Sequence, residues 1–220
     1  MIKKSSFFNL TVQALLAITS ISLVSSAAAA AGSADAGKEK AVTCVACHGA
    51  DGNSANPQWP SLAAQNEVYM TRTLMAFQLP LGDNGKVIEG GRYDPVMTSQ
   101  AIALTPEDMA DIGAYFTTQK MAGKVSNPSL VGSGERLYRG GNMEASVSAC
   151  IACHGPNGRG NAPAGYPSIA GQHAVYTAKQ LQDYRSGARK SDPSGMMRSI
   201  TERLTYDEIN AVASYIQGLR

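Results

Sequence analysis

Four cysteines stand in this chain, at positions 44, 47, 150 and 153, and each pair is followed at once by a histidine, His48 or His154. In Cys44-Val45-Ala46-Cys47-His48 and Cys150-Ile151-Ala152-Cys153-His154 the two thiols are three positions apart, so one helical turn presents both on the same side. This is the C-x-x-C-H pattern of covalent c-type haem attachment: the thiols reach the vinyl groups of one porphyrin and the histidine lies under the iron. Two C-x-x-C pairs could also build a four-cysteine zinc site, serve as thioredoxin-like redox pairs, or close disulfides. Repetition of the whole motif, each copy followed by matching sequence, favours two haems. Only His173 among the three histidines falls outside the motifs.

The elements that must position these residues read as helices and turns. Residues 35–46 form a helix into the first motif, and Gly49, Asp51, Gly52 and Asn53 break it into a turn-rich loop. Residues 66–78 carry Val68, Tyr69, Leu74 and Phe77 at helical spacing, and residues 81–95 are a glycine-rich loop. Thr105-Pro106-Glu107-Asp108 opens a helix to about Lys120: threonine caps it, proline takes the first position, acids fill the first turn, and Met109, Ile112 and Phe116 face inward. Residues 121–133 lack periodicity and read as the connection between two domains.

The second half repeats the first. Trp59-Pro60-Ser61-Leu62 returns as Tyr166-Pro167-Ser168-Ile169, and Gln65, Tyr69 and Leu74 return 107 positions later as Gln172, Tyr176 and Leu181. A last helix starts at Thr205, with Glu208 completing a capping box and Ile209, Val212 and Ile216 as its core stripe. With no convincing alternating strands, the fold class is all-α, as a tandem duplication of residues 31–123 and 124–220.

The second axial ligand decides what each iron does, since an iron closed by methionine sulfur mainly exchanges electrons whereas an open one can bind small molecules. Met97 stands seven residues before Leu104, and the same offset from Leu204 reaches Met197. Met196 competes, because the Asp192-Pro193 approach resembles Asp94-Pro95, but the helix register favours Met197. Met70, Met75, Met109 and Met121 read as packing. Each axial histidine needs an acceptor for its other ring nitrogen; the carbonyls of Pro60 and Pro167 are the expected ones. Arg72 and Lys179 are candidates for propionate contact, and His173 reads as structural.

Lys3 and Lys4, an apolar run over residues 7–24 and small residues over 25–31 mark residues 1–30 as a secretory signal peptide cleaved between about Ala28 and Ala34; an uncleaved membrane anchor is the alternative, disfavoured because polar residues interrupt the run and it is short for a span. Export to the periplasm fits covalent haem attachment. The formal charge is uneven: residues 31–123 hold 6 basic and 10 acidic residues, net −4, and residues 124–220 hold 11 and 7, net +4. Such a dipole can orient a docking partner. No basic run is dense enough for nucleic acid.

Taken together, the two haem motifs, the repeated aromatic-Pro-x-aliphatic segment, Gly171-Gln172-His173-Ala174 with Tyr176, and the closing Ala213-Ser214-Tyr215-Ile216-Gln217-Gly218-Leu219 resemble the dihaem cytochromes c of the cytochrome c4 type. The resemblance implies two class I cytochrome c domains related by a pseudo-twofold, with haem edges near the domain interface and two covalently bound haem c groups. It implies haem attachment at Cys44, Cys47, Cys150 and Cys153 and ligation by His48, Met97, His154 and Met197. It also implies a non-enzymatic electron carrier whose partners are membrane-bound respiratory complexes, a quinol-oxidising complex and a terminal oxidase, reached by peripheral association with the membrane. A dihaem peroxidase or the cytochrome subunit of a dehydrogenase is the alternative. The loop over residues 81–92 departs from its counterpart at 186–191, which leaves its local structure open.

Overall fold

The computed structural model describes residues 31–220, which form one compact unit; the expected signal peptide lies outside the described residues. The first half is built from α1 (Ala34–Lys40), α2 (Val45–His48), α3 (Glu67–Gln78), α4 (Pro95–Ala101) and α5 (Pro106–Thr118). The second repeats the order in α6 (Pro128–Gly140), α7 (Ile151–His154), α8 (Ala174–Ser186), α9 (Met196–Thr201) and α10 (Tyr206–Gly218). Among the described residues extended pairing is limited to isolated bridges, and no helix is long and apolar enough to cross a membrane.

In each half the last helix is the hub, packing against the first and third helices: α5 against α1 and α3, α10 against α6 and α8. Its inward stripe explains this. Met109, Ile112 and Phe116 are at most 2% exposed, and Ile209, Val212 and Ile216 at most 3%. Both hub helices begin with a capping box, Thr105 with Asp108 and Thr205 with Glu208, so two of the free N–H groups at each start are satisfied reciprocally. The first helix crosses the hub through a glycine. A Cβ on Gly37 would overlap the Asp111 carbonyl, and one on Gly134 the Ala211 carbonyl.

Two expectations need correction. The helix expected over residues 35–46 is divided: α1 ends at Lys40 and a 3-10 turn, Ala41–Thr43, leads to Cys44. The tightening falls at Val42 and Thr43, whose β-branching disfavours a continued α-helix. The connection is also shorter than 121–133, because Pro128 opens α6 behind an Asn127 cap that accepts from the Ser129 N–H. Gly132, Ser133 and Gly134 blur the helical pattern there, yet Gly134 is what the close crossing requires. Residues 119–127 are therefore the extended segment between the halves. They are pinned to both, with the Ala122 N–H on Asn53 Oδ1 at 2.8 Å and the Asn127 N–H on Ser214 Oγ at 2.9 Å.

Candidate haem sites

Each C-x-x-C-H motif folds as a single helical turn that ends on its histidine. Cys44 caps α2 and Cys150 caps α7, and the chain leaves through Gly49 at φ +85° and Gly155 at φ +77°, where a side chain would be strained. All four cysteines are half-buried, and none is joined to another in a disulfide. Cys44 packs against the first core and Cys150 against the second. Burial pushes the Cys44 thiol up and the Cys150 thiol up to about 11. A redox pair of the thioredoxin kind needs the opposite shift. Among the described residues there is no group of three or more His, Cys, Asp or Glu able to hold a metal, so the two pairs do not converge on a four-cysteine site.

His48 and His154 are buried, at 5% and 8% exposure. His48 Nδ1 donates to the Pro60 carbonyl at 2.8 Å and His154 Nδ1 to the Pro167 carbonyl at 3.0 Å, the acceptors expected from the repeated proline. Burial holds both imidazoles below their ordinary range, opposed in part by those carbonyls, which favours the neutral ring that a metal ligand must be. With Nδ1 fixed as the donor, Nε2 keeps its lone pair for iron. Thiols on one turn beside an oriented neutral imidazole fit a covalent haem in both halves.

Met97 lies in the first turn of α4, half-buried against the first core, where the Asp94 carboxylate caps its N–H at 3.0 Å. Met196 and Met197 open α9 and are equally half-buried, so exposure does not separate them. Helical phase does. Met97 precedes the fully buried Ala101 by four residues, and Met197 precedes the fully buried Thr201 by four, so each shares a face with its inward residue. The Leu104 and Leu204 N–H groups then close onto the Ala101 and Thr201 carbonyls at 3.0 and 3.1 Å.

The residues suggested for propionates are engaged elsewhere. Arg72 Nη2 donates across the seam between the halves to the Gly165 carbonyl at 2.7 Å, and Lys179 pairs with Asp183 along α8 at 2.6 Å. His173 is structural, buried with Nε2 on the Ser54 carbonyl of the first half at 2.8 Å.

The seam holds residues to which the sequence assigned no role. Arg189, 3% exposed, donates to Tyr69 Oη at 2.9 Å and Gln180 Oε1 at 2.8 Å; Arg92 donates to Tyr176 Oη and Gln180 Oε1, both at 2.8 Å. Among the described residues neither guanidinium meets a carboxylate within ion-pair distance. Burial raises the Tyr69 phenol, but the charges of Arg189 and Arg92 outweigh it and hold the group down at about 8. The divergent loop over 81–92 belongs to this seam, where the Gly90 N–H reaches the Lys190 carbonyl and the Lys190 N–H the Gly91 carbonyl, both at 3.0 Å.

The family model described as cytochrome c matches this chain twice, over residues 34–120 and 134–220. Cytochrome c4 of Azotobacter vinelandii is 46% identical over 187 residues, covering 82% of this chain and 86% of the relative. The crystal structure of reduced recombinant cytochrome c4 from Pseudomonas stutzeri superposes with a TM-score of 0.80 at 43% identity, covering 86% of this chain and 100% of that one. A thiosulfate dehydrogenase electron acceptor of Stutzerimonas stutzeri is 34% identical over 183 residues, 81% of this chain and 80% of the relative.

Proposed function

The chain belongs to the cytochrome c family as a dihaem electron-transfer protein of the cytochrome c4 type, carrying two covalent haem c groups in tandem domains, and from that premise we propose that it is an exported periplasmic carrier taking electrons from a quinol-oxidising complex to a terminal oxidase. Haem iron supplies the one-electron exchange; the protein's residues attach it, close it and set its surroundings.

Cys44 and Cys47 hold the first haem and Cys150 and Cys153 the second, with His48 and Met97, and His154 and Met197, as axial pairs. The domain division falls at residues 123 and 124, inside the pinned segment between the halves. The observation that carries the reading is the paired one: a buried neutral imidazole held through Nδ1 by a proline carbonyl, directly after two thiols on one turn, in each half. The common helical phase of Met97 and Met197 supports closed irons, which argues for a carrier and against an enzyme such as a dihaem peroxidase. The buried guanidinium of Arg189 and the half-buried one of Arg92 supply positive charge without a protein carboxylate, suited to the anionic propionates.

Stopped-flow mixing of the reduced holoprotein with membranes containing terminal oxidase tests the direction of transfer, with rapid oxidation of both haems expected. Failure there, together with rapid reduction by a thiosulfate-oxidising dehydrogenase, would favour a second reading in which this chain is the electron acceptor of such an enzyme, as the name of the Stutzerimonas stutzeri relative suggests. For the axial assignment, Met197→Ala is expected to leave the second iron high-spin while Met196→Ala leaves it unchanged; the reverse pattern would reassign the ligand.

A further inference from the structure

Each axial histidine is tied to the opposite half of the molecule by one peptide group. The Pro60 carbonyl accepts the His48 proton at 2.8 Å, and the N–H of that same peptide unit, carried by Ser61, donates to Oε1 of Gln172 in the second half at 2.9 Å. The mirror arrangement holds at the other site. The Pro167 carbonyl accepts from His154 at 3.0 Å, and the Ser168 N–H donates to Oε1 of Gln65 in the first half at 2.9 Å. The glutamines also donate back, Gln172 Nε2 to the Ser61 carbonyl and Gln65 Nε2 to the Ser168 carbonyl, both at 2.8 Å. Ser61, Gln65 and Gln172 are buried, and the backbone N–H of Asn66 or His173 fixes each glutamine Oε1 from behind.

A peptide that donates through its N–H is a stronger acceptor through its carbonyl, because both bonds favour the same charge-separated resonance form. Such cooperativity amounts to about 10–30% per bond. A stronger acceptor draws on the imidazole Nδ1 proton and makes the ring a better donor through Nε2. A more electron-rich iron is harder to reduce. We propose that Gln172 and Gln65 are positioning residues, each lowering the reduction potential of the iron held in the other half, so that docking of the domains and their redox poise are one coupled property. The proposal rests on the reading of His48 and His154 as axial ligands.

The test is a redox titration of the holoprotein, with the two haems followed separately by the NMR signals of their ring methyl groups. Gln172→Leu should make the first iron easier to reduce by several-fold and up to about tenfold, 59 mV for one electron, with a smaller change at the second; Gln65→Leu should do the converse. Gln172→Glu keeps an acceptor and makes it anionic, so the first iron should move the opposite way. Seam loosening alone would admit water to both haems and move them together, with the same sign in both variants. Arg72→Ala, which removes the cross-seam bond to Gly165 without touching either peptide, should shift neither potential selectively. The His48 Nδ1 proton resonance gives a second readout and should move upfield in Gln172→Leu.

A shift confined to the half that carries the substitution, equal signs for Leu and Glu, or unchanged potentials would overturn the proposal. Were the leucine variants not to fold, the glutamate variants would decide it alone, no downward shift in the opposite half being the contradicting result. Failure of the ligand reading looks different, since the unmodified protein would then lack histidine-ligated low-spin signals.

Discussion

The same helix crossing is fastened by ions in the first half and by apolar packing in the second. Where α1 meets α5, Lys40 reaches Asp108 at 2.7 Å and Asp111 at 2.6 Å, and Ala41 behind it is fully buried. In the corresponding places of α6 stand Leu137 and Tyr138, both core residues, and Tyr138 stacks obliquely on Tyr215 with ring centroids 5.4 Å apart while its hydroxyl donates to the Gly155 carbonyl at 2.6 Å. The glycine at the crossing is common to both, as are the capping box, the C-x-x-C-H turn and the proline carbonyl on the histidine. What is shared sets the backbone around the haem, and what differs only clamps it. Clamps are interchangeable because a crossing can be stabilised by any contact that fills the same space; the backbone approach at Gly37 and Gly134 cannot be so replaced.

The largest effect should come from breaking what the halves share. Gly37→Val or Gly134→Val places a branched side chain against a backbone carbonyl, beyond the ~1–3 kcal/mol of ordinary overpacking, and should prevent haem incorporation in the half concerned, read as a haem-to-protein ratio near one. Next comes the clamp of the second half. Tyr138→Ala should cost ~3–5 kcal/mol, whereas Tyr138→Phe, losing only the bond to Gly155, should cost about 1 kcal/mol; both are read from thermal unfolding of the holoprotein.

The clamp of the first half should instead respond to acid. Lys40 holds the carboxyls of Asp108 and Asp111 below the ordinary range, Asp108 well below it, aided by the Thr105 N–H and the Ser33 N–H respectively. Their folded values lie under their unfolded ones, so the stability they contribute is full above an ordinary aspartate pKa of about 3.9 and is lost as pH falls toward the folded value. Thermal unfolding at pH 7 and pH 3 should show this loss, and Lys40→Met should diminish it; an unchanged pH dependence would count against the ionic clamp. The smallest effect concerns the surface. The first half carries a net charge of −4 and the second +4, so transfer to an acidic partner through the second half should slow with added salt, and equal salt dependence at both haems would remove the role of the dipole.

Much of each site was legible in the sequence because its determinants are local. The C-x-x-C-H turns, the capping boxes at Thr105 and Thr205 and the inward stripes of α5 and α10 are fixed by spacings of a few residues. Pro60 and Pro167 were reachable because duplication marked them as a matched pair. Duplication also returned Gln65 as Gln172, but not what either does, since the partners of a pseudo-twofold interface are exchanged rather than repeated: Gln65 binds Ser168 and Gln172 binds Ser61. Arg189 and Tyr69 lie 120 positions apart, and no local pattern joins them. The start of α6 was obscured because the glycine its crossing demands resembles a linker residue.

On the proposed ligation, the two irons are closed alike in halves fastened differently. Optical and electron paramagnetic resonance spectra of the purified oxidised holoprotein test that most directly. Two low-spin haems, each contributing to a methionine-to-iron charge-transfer band at the red end of the visible spectrum, are the expected result. A high-spin signal from either haem at neutral pH would contradict it.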